Sequence, residues 1–154
     1  MSERLMTQKT LEYLRTKKAE LEAEIKRRGS ESSGHQRASL HDDAGAENAL
    51  NLLRGTLTKI GDLSRINIIE PNQQTDFVNL GNMVKVKFDD GVEEVTILSP
   101  DDVIHRKDIG TVVSPISPLG KAIMGKQKDD KATLILSPDE KTTVIVLDIF
   151  PAKL

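Results

Sequence analysis

Apolar residues recur at helical spacing in two stretches of the first half of the chain. From Met6 to Arg28 neither Gly nor Pro occurs, and the apolar stripe consists of Leu11, Leu14, Leu21 and Ile25. From about Asp43 to Ile66 a second stripe consists of Ala46, Leu50, Leu53, Leu57, Ile60 and Leu63. Each stripe is wide enough for one partner only. The pattern therefore predicts two helices packed against each other as an antiparallel coiled-coil hairpin over residues 1–72.

The tip of this hairpin is expected at about residues 29–47. Residues 29–34, GSESSG, separate the two stripes. Gly and Ser favour turns, because Gly is conformationally free and Ser competes for the hydrogen bonds of a helix. The sequence therefore predicts that the first helix ends near residue 29.

Beyond Pro71 the pattern changes from helical spacing to strict alternation. The polar run NQQTD predicts a linker over residues 73–80. Two strand pairs follow, Met83–Phe88 with Val92–Leu98 around Asp90-Gly91, and Ala132–Ser137 with Thr142–Phe150. Residues 109–113 form a weaker candidate strand.

One short helix is expected between the two strand pairs. Leu119, Ala122 and Ile123 have the spacing of one helix face, and Gly125 can end the helix. The fold class is therefore α+β, with a helical hairpin followed by a small antiparallel sheet and one helix over residues 81–154.

Composition excludes several classes of function. Aromatic residues make up 3% of the chain and there is no Cys, which argues against base-stacking platforms, disulfides and thiolate metal sites. The 22 basic and 24 acidic residues nearly cancel, so direct binding of DNA through bulk charge is not expected. With no signal peptide and no long apolar run, the expectation is a cytoplasmic protein that does not bind membranes.

Residues 114–130, SPISPLGKAIMGKQKDD, resemble the carboxy-terminal signature of the bacterial Gre transcript-cleavage factors. The similarity extends to MTQKTLEYLRTKKAEL at the start of the first helix and to LSRINIIEP after the second. It covers nearly the whole chain and has the same order of a helical arm followed by a sheet domain.

The resemblance implies an accessory factor of RNA polymerase that is not itself an enzyme. In the Gre family an FKBP-like domain docks at the rim of the polymerase secondary channel, and the helical arm passes down the channel. The docking residues implied here are Ser117, Pro118, Leu119 and Ile123. The implied protein is a monomer without a tightly bound cofactor.

Acidic residues at the arm's tip carry the family's activity. They help to hold a Mg²⁺ ion of the polymerase active site, which then hydrolyses a backtracked transcript. The family's motif is an Asp, two spacers and Glu-Asn-Ala, and this chain has LHDDAGAENAL. Glu47 matches, whereas Ala44 stands at the Asp position and Asp42 and Asp43 are displaced by two and one residues. The implied Mg²⁺ ligands are Asp43 and Glu47, with Asp42 as a further acid.

The displaced acids leave two outcomes open. One residue turns a helix by about 100°, so a shifted carboxylate can miss a site that requires octahedral geometry. The protein then either stimulates cleavage or occupies the channel and modulates polymerase without cleavage. Asp42 and Asp43 also suit the start of a helix, where acidic side chains cap free amides.

Four basic residues near the tip are candidates for contact with RNA or polymerase: Lys26, Arg27, Arg28 and Arg37. The alternative is a solvated helix face whose charges complement the helix dipole. The FKBP-like fold also suggests a prolyl isomerase, although Phe88 and Phe150 are the only aromatic residues after Gly81. A hairpin that dimerises with a second copy is a further alternative.

Overall fold

The computed structural model describes residues 4–34 and 40–154, with the side chains of residues 4–29 and 47–154. It divides the chain into two compact units. The helical unit is Leu11–Arg65, and the sheet unit combines the residues up to Thr10 with Ile66–Leu154. The predicted α+β class is confirmed. The unit boundaries differ from the predicted ranges 1–72, 73–80 and 81–154, because the start of the chain belongs to the sheet unit.

Two long helices account for most of the helical unit. These are α1 (Gln8–Gly34) and α2 (Leu40–Ile60), and neither they nor any other described helix is long and apolar enough to cross a membrane. The expected end of α1 near residue 29 is wrong, since the helix continues through GSESSG. Each unfavourable residue costs about 1 kcal/mol or less, so a helix already formed over its first five turns can propagate through a short Gly and Ser tract.

The apolar stripes of the helical unit are partly buried as the spacing predicts. Its buried apolar residues are Leu11, Leu14, Leu21, Ile60 and Leu63. Lys18 interrupts the first stripe, and its Nζ donates a hydrogen bond to the carbonyl of Gly61 at 3.0 Å. Since Gly61 directly follows α2, this bond serves one of the carbonyls that the end of a helix leaves free.

A five-stranded sheet forms the core of the sheet unit, in the order β5-β4-β3-β7-β6. Its strands are β3 (Asn82–Phe88), β4 (Gly91–Ile97), β5 (Thr111–Val113), β6 (Lys131–Ser137) and β7 (Glu140–Pro151). Both predicted antiparallel hairpins are confirmed. The prediction of a wholly antiparallel sheet is wrong, because β5 runs parallel to β4 after a crossover.

The crossover contains a helix that the apolar pattern does not reveal. Helix α3 (Pro100–His105) and a 3-10 turn (Lys107–Ile109) precede β5, and the predicted short helix follows as α4 (Pro118–Ile123). The sheet unit therefore contains two short helices, whereas the sequence predicted one. Two three-residue strands, β1 (Arg4–Met6) and β2 (Ile66–Ile68), also pair in parallel. Such short strands are below the length at which alternation gives a signal.

The segment predicted as a linker is part of the sheet unit's core. Val78 is 1% exposed, its N–H donates to the carbonyl of Lys126, and its own carbonyl accepts from Gly125. The buried Asn82 side chain donates to the carbonyls of Asn72, Gln74 and Phe150. A polar run can be fixed in this way because its backbone amides and carbonyls find partners.

One buried carboxylate, that of Asp102, receives hydrogen bonds from the start of two helices. Asp102 has no exposed surface, and with Ser99 it forms the capping box of α3. It also accepts from the Thr7 amide at 3.1 Å, the Thr7 hydroxyl at 2.7 Å and the Thr10 hydroxyl at 2.6 Å. Thr7 directly precedes α1, and its amide is usually capped by a side chain nearby in the sequence. Here the amide donates instead to Asp102, which lies 95 residues further along the chain.

Arg106 completes this arrangement from the end of α3. Its guanidinium is 2% exposed and donates to the Thr7 hydroxyl, the Asp108 carboxylate and the carbonyl of Leu154, each at 3.0 Å. The hydrogen bond from Arg106 holds the pKa of the Asp108 carboxyl below its usual value. We call Asp102, Thr7, Thr10, Ser99 and Arg106 the Asp102 cluster. A buried charge is tolerated only when it is paired and hydrogen-bonded in this way.

We expect Asp102→Ala to lower the free energy of unfolding by about 3–5 kcal/mol, because it leaves the Thr7 amide and the hydroxyls of Thr7, Thr10 and Ser99 buried without their acceptor. Urea unfolding of the full chain measures this loss. The control is Asp101→Ala, which removes the partner of Arg4. Both of those side chains are about a quarter exposed, so the loss should be about 1 kcal/mol or less. Equal losses in the two variants would contradict the assigned role of Asp102.

Candidate functional site

The acidic motif lies on α2, two turns from the start of the helix. Glu47 is exposed, and its carboxylate has no hydrogen bond or ion pair with any other side chain that the structure describes. Asp42 and Asp43 lie within α2, but the structure describes only their backbone and not their side chains. Of the three acids of the motif, Glu47 is the one whose side chain the structure describes, and it is exposed.

Helical geometry changes the expected effect of the displaced acids. Position 43 precedes Glu47 by four residues, which places the two within about 40° on one helix face. Position 44, where the family has its Asp, precedes Glu47 by three residues and lies about 60° away on the other side. Position 42 is rotated by about 140°. Along a helix, Asp43 is therefore a neighbour of Glu47 and Asp42 is not.

Two of the four predicted basic contacts are already paired within α1. Arg27 and Arg28 both donate to the Glu24 carboxylate. These hydrogen bonds, first from Arg27 and then from Arg28, hold the pKa of Glu24 below its usual value. This arrangement favours the alternative of a solvated helix face for Arg27 and Arg28. Lys26 is exposed, and Arg37 lies outside the described residues.

The four predicted docking residues differ in their exposure. Ser117 is the N-cap of α4, accepting from the Gly120 amide at 3.1 Å and donating to the Ser114 carbonyl at 2.7 Å. Pro118 is exposed, whereas Leu119 packs against the core and Ile123 is fully buried within it. Ile123 is therefore a core residue, since a short helix against a sheet must bury its apolar face.

The exposed surface beside α4 is a shallow groove that the sequence did not reveal. It has a volume of about 370 Å³ and lies between α4 and β6. Its lining residues are Ile116, Pro118, Lys121, Ala122, Thr133 and Ile135. We call it the α4–β6 groove. Ile116 is 69% exposed and Ile135 is 53% exposed, although both are large aliphatic side chains. Alternation in β6 was the available signal for Ile135, since Ala132 and Leu134 face the core.

A larger cleft of about 700 Å³ in the sheet unit shares Ile116 with the α4–β6 groove. It is lined by Arg4, Leu5, Leu80, Ser99, Pro100, Asp101, Pro115 and Ile116. No aromatic side chain is among them, and Phe88 packs against the core instead. This cleft thus lacks the aromatic walls that a prolyl isomerase would need. Among the side chains that the structure describes, no three acidic or histidine groups converge as a metal site.

Gly120 fixes the path of the loop that leads into α4. A Cβ at this position would come within 1.9 Å of the Ser114 carbonyl oxygen, the same oxygen that accepts from Ser117. Only a residue without a side chain permits this approach. The helix start and one wall of the α4–β6 groove therefore depend on this glycine.

Comparison with known proteins gives a family match over the second half of the chain. The model of the carboxy-terminal part of the transcription elongation factors GreA and GreB matches residues 73–151. No curated protein sequence matches the chain significantly.

Three solved structures are among those similar to the chain. Gfh1 of Thermus aquaticus is 19% identical, with 97% of this chain and 99% of that chain covered and a TM-score of 0.40. GreA factor homolog 1 of Thermus thermophilus is 23% identical, with 96% and 99% covered and a TM-score of 0.39. A GreA/GreB elongation factor from Nitrosomonas europaea is 20% identical, with 67% and 92% covered and a TM-score of 0.39.

Two glycine-to-alanine changes should have opposite effects on stability. Gly120→Ala should lower the free energy of unfolding by about 2–3 kcal/mol, because the Ser114 carbonyl must move away. Gly55→Ala should raise it by about 0.5–1 kcal/mol, because Gly55 lies within α2 with open space around it. Chemical unfolding measures both changes. A loss at Gly55 or no loss at Gly120 would show that the local geometry is wrong.

Proposed function

Because the chain belongs to the GreA/GreB family of transcription elongation factors, we propose that it binds RNA polymerase and inserts its helical unit into the secondary channel. There it stimulates cleavage of backtracked RNA by the active site of the polymerase. The chain acts as an accessory factor, and the hydrolytic chemistry belongs to the polymerase.

The observation that carries this proposal is the free carboxylate of Glu47. It is exposed on α2 and unpaired among the described side chains, so it is available to a partner. Mg²⁺ prefers hard oxygen ligands and often takes one or two protein carboxylates together with phosphate oxygens. Glu47 supplies one such ligand, and position 43 on the same helix face carries the second acid.

The second candidate is a factor that occupies the channel without promoting cleavage. The observation in its favour is Ala44, which removes the acid from the position that the family uses. Asp43 lies on the opposite flank of Glu47, about 100° from position 44 around the helix axis. An acid at position 43 approaches the Mg²⁺ ion from a different direction than an acid at position 44. It can therefore complete the octahedral coordination of the ion only if the helical unit rotates in the channel.

Two of the four basic residues near the tip, Arg27 and Arg28, have a smaller part in this proposal than Lys26. Glu24 already pairs with Arg27 and Arg28, so contact with RNA would require those pairs to open. Lys26 is the described cation that is free to contact RNA or polymerase without such a cost.

A purified polymerase complex stalled in a backtracked state tests the two candidates. If the chain stimulates cleavage, it should shorten the RNA, and Glu47→Ala should slow this reaction about 100-fold through loss of a carboxylate at the reacting centre. Asp43→Ala should slow it to a similar extent, and Asp42→Ala much less, because only position 43 shares the face of Glu47.

Glu22→Ala is the matched control, since Glu22 is an exposed acid of α1 away from the motif. It should leave the rate unchanged. Binding with no shortened RNA, together with altered elongation, would select the second candidate. If the chain neither bound polymerase nor changed its products, the proposal as a whole would be wrong.

A further inference from the structure

We propose that the outer face of the five-stranded sheet binds the phosphate backbone of duplex DNA through Lys87, Lys131 and Lys141. The outer face is the side of the sheet opposite the core residues Val84 and Val86. The inference goes beyond the proposed function, in which the sheet unit has no part in binding nucleic acid.

The strand register places the three lysines on this one face. Lys87 of β3 and Lys131 of β6 both lie opposite Ile145 of the intervening strand β7. Lys141 precedes Ile145 by four residues in β7, so it lies on the same face. With strands about 4.8 Å apart and a rise of about 3.4 Å per residue, the Cα atoms of the three lysines are roughly 10–14 Å from one another.

The residues opposite these lysines are aliphatic and carry no charge. Lys87 lies between Val92 of β4 and Ile145 of β7, and Lys141 lies opposite Ile135 of β6. All three lysines are exposed, and none forms a side-chain hydrogen bond or ion pair with another residue that the structure describes. Their positive charge is therefore available to an anionic partner.

The acids nearest in sequence are engaged or lie on the other face. The Asp89 carboxylate accepts from the hydroxyl of Thr142, which is on the core side of the sheet. The Asp130 carboxylate accepts from the Gln127 amide. Glu140 directly precedes an outer-face residue of β7, so its side chain lies on the opposite face. Acidic and basic residues nearly cancel over the whole chain, but they do not cancel here.

Two threonine hydroxyls lie between the lysines. Thr133 and Thr143 are opposite each other in the β6–β7 register, and both are exposed. Thr133 is two residues from Lys131, and Thr143 is two residues from Lys141. Lysine and threonine side chains are common donors to the phosphate oxygens of DNA. The face thus combines three cations with two neutral donors.

A duplex fits this composition better than a single strand or a protein segment does. No aromatic side chain lies between the three lysines, so unpaired bases have nothing on which to stack. The centre of an interface between proteins is usually apolar, whereas the centre here consists of Thr133 and Thr143. Duplex DNA carries one negative charge per about 1.7 Å of its axis and binds lysines without stacking.

The binding is expected to be weak and sensitive to salt. The net charge of the chain is −2, which opposes association with a polyanion at long range. A weak contact of this kind becomes effective when another interaction already holds the two partners together. The polymerase of the proposed function carries duplex DNA and would supply that interaction.

Fluorescence anisotropy of a labelled DNA duplex, titrated with the full chain in the absence of polymerase, tests the inference. Three phosphate contacts predict that the logarithm of the binding constant falls with the logarithm of the salt concentration with a slope of about −2.7. Lys87→Gln with Lys131→Gln should bring the slope to about −0.9 and weaken binding at low salt about tenfold. Both positions are exposed, and thermal melting checks that the variant folds.

The matched control is Lys107→Gln with Lys153→Gln, which changes the net charge equally. Lys107 lies in the 3-10 turn before β5, at the opposite edge of the sheet from β6. Lys153 follows the end of β7 that is remote from Lys141. This control should keep the slope of the unchanged chain. Equal effects of the two double changes would overturn the inference.

A second control lies on the outer face itself. Lys85 is two residues from Lys87 in β3, but Glu94 and Asp148 lie opposite it on the neighbouring strands. Because these acids offset its charge, Lys85→Gln should change the slope by less than half as much as Lys87→Gln. A larger effect at Lys85 than at Lys87 would contradict the assigned site.

Three further outcomes would each overturn the inference. The first is no binding of the duplex by the unchanged chain at low salt. The second is tighter binding of a single-stranded oligonucleotide than of the duplex. The third is displacement of the duplex by a polyglutamate peptide as effectively as by unlabelled DNA of equal charge, which would assign the face to acidic protein segments. Since no polymerase is present, none of these outcomes bears on the proposed function.

Discussion

The carboxylate of Asp102 is the constraint on which the sheet unit and the start of the helical arm both depend. It is fully buried, and its hydrogen-bond donors come from the start of α3 and from Thr7 and Thr10 at the start of α1. An unpaired charge in this position would be very costly, so each donor is needed. Arg106 joins this network by donating to the Thr7 hydroxyl, and it also pairs with Asp108 and donates to the Leu154 carbonyl. The first turn of α1 is thereby part of the sheet unit. This explains why the division between the two units falls after Thr10.

The sequence predicts those parts of the fold in which one local signal is repeated several times. The stripes of Leu and Ile gave both helices, and alternation with Asp90-Gly91 gave the hairpin of β3 and β4. It failed where partners lie far apart along the chain. Val78 looked like part of a polar linker because its neighbours are polar, yet it is 1% exposed in the core. No local pattern indicates that Thr7 and Asp102, 95 residues apart, will meet. The FKBP-like character of the sheet unit stays a prediction.

The candidate site was predicted in part, for similar reasons. Glu47 could be identified because its neighbours match a motif, and the structure leaves it exposed. The exposed surface around α4 was harder to predict from the sequence, since an apolar residue on a short helix can face either the core or the solvent. Ile123 faces the core, whereas Ile116 and Ile135 remain exposed. The proposed function depends on α2, where the exposed carboxylate of Glu47 can act at a metal centre.

The central claim is that position 47 of the arm reaches the active centre of RNA polymerase. Crosslinking from a photoreactive residue at this position, in a complex with radiolabelled backtracked RNA, tests it whether or not cleavage occurs. We expect a crosslink to the 3′ end of the RNA from position 47. We expect none from position 59, twelve residues further along α2 and thus about 18 Å away along the helix. Crosslinks to RNA from position 59 alone, or from neither position in a complex that is demonstrably formed, would contradict the account.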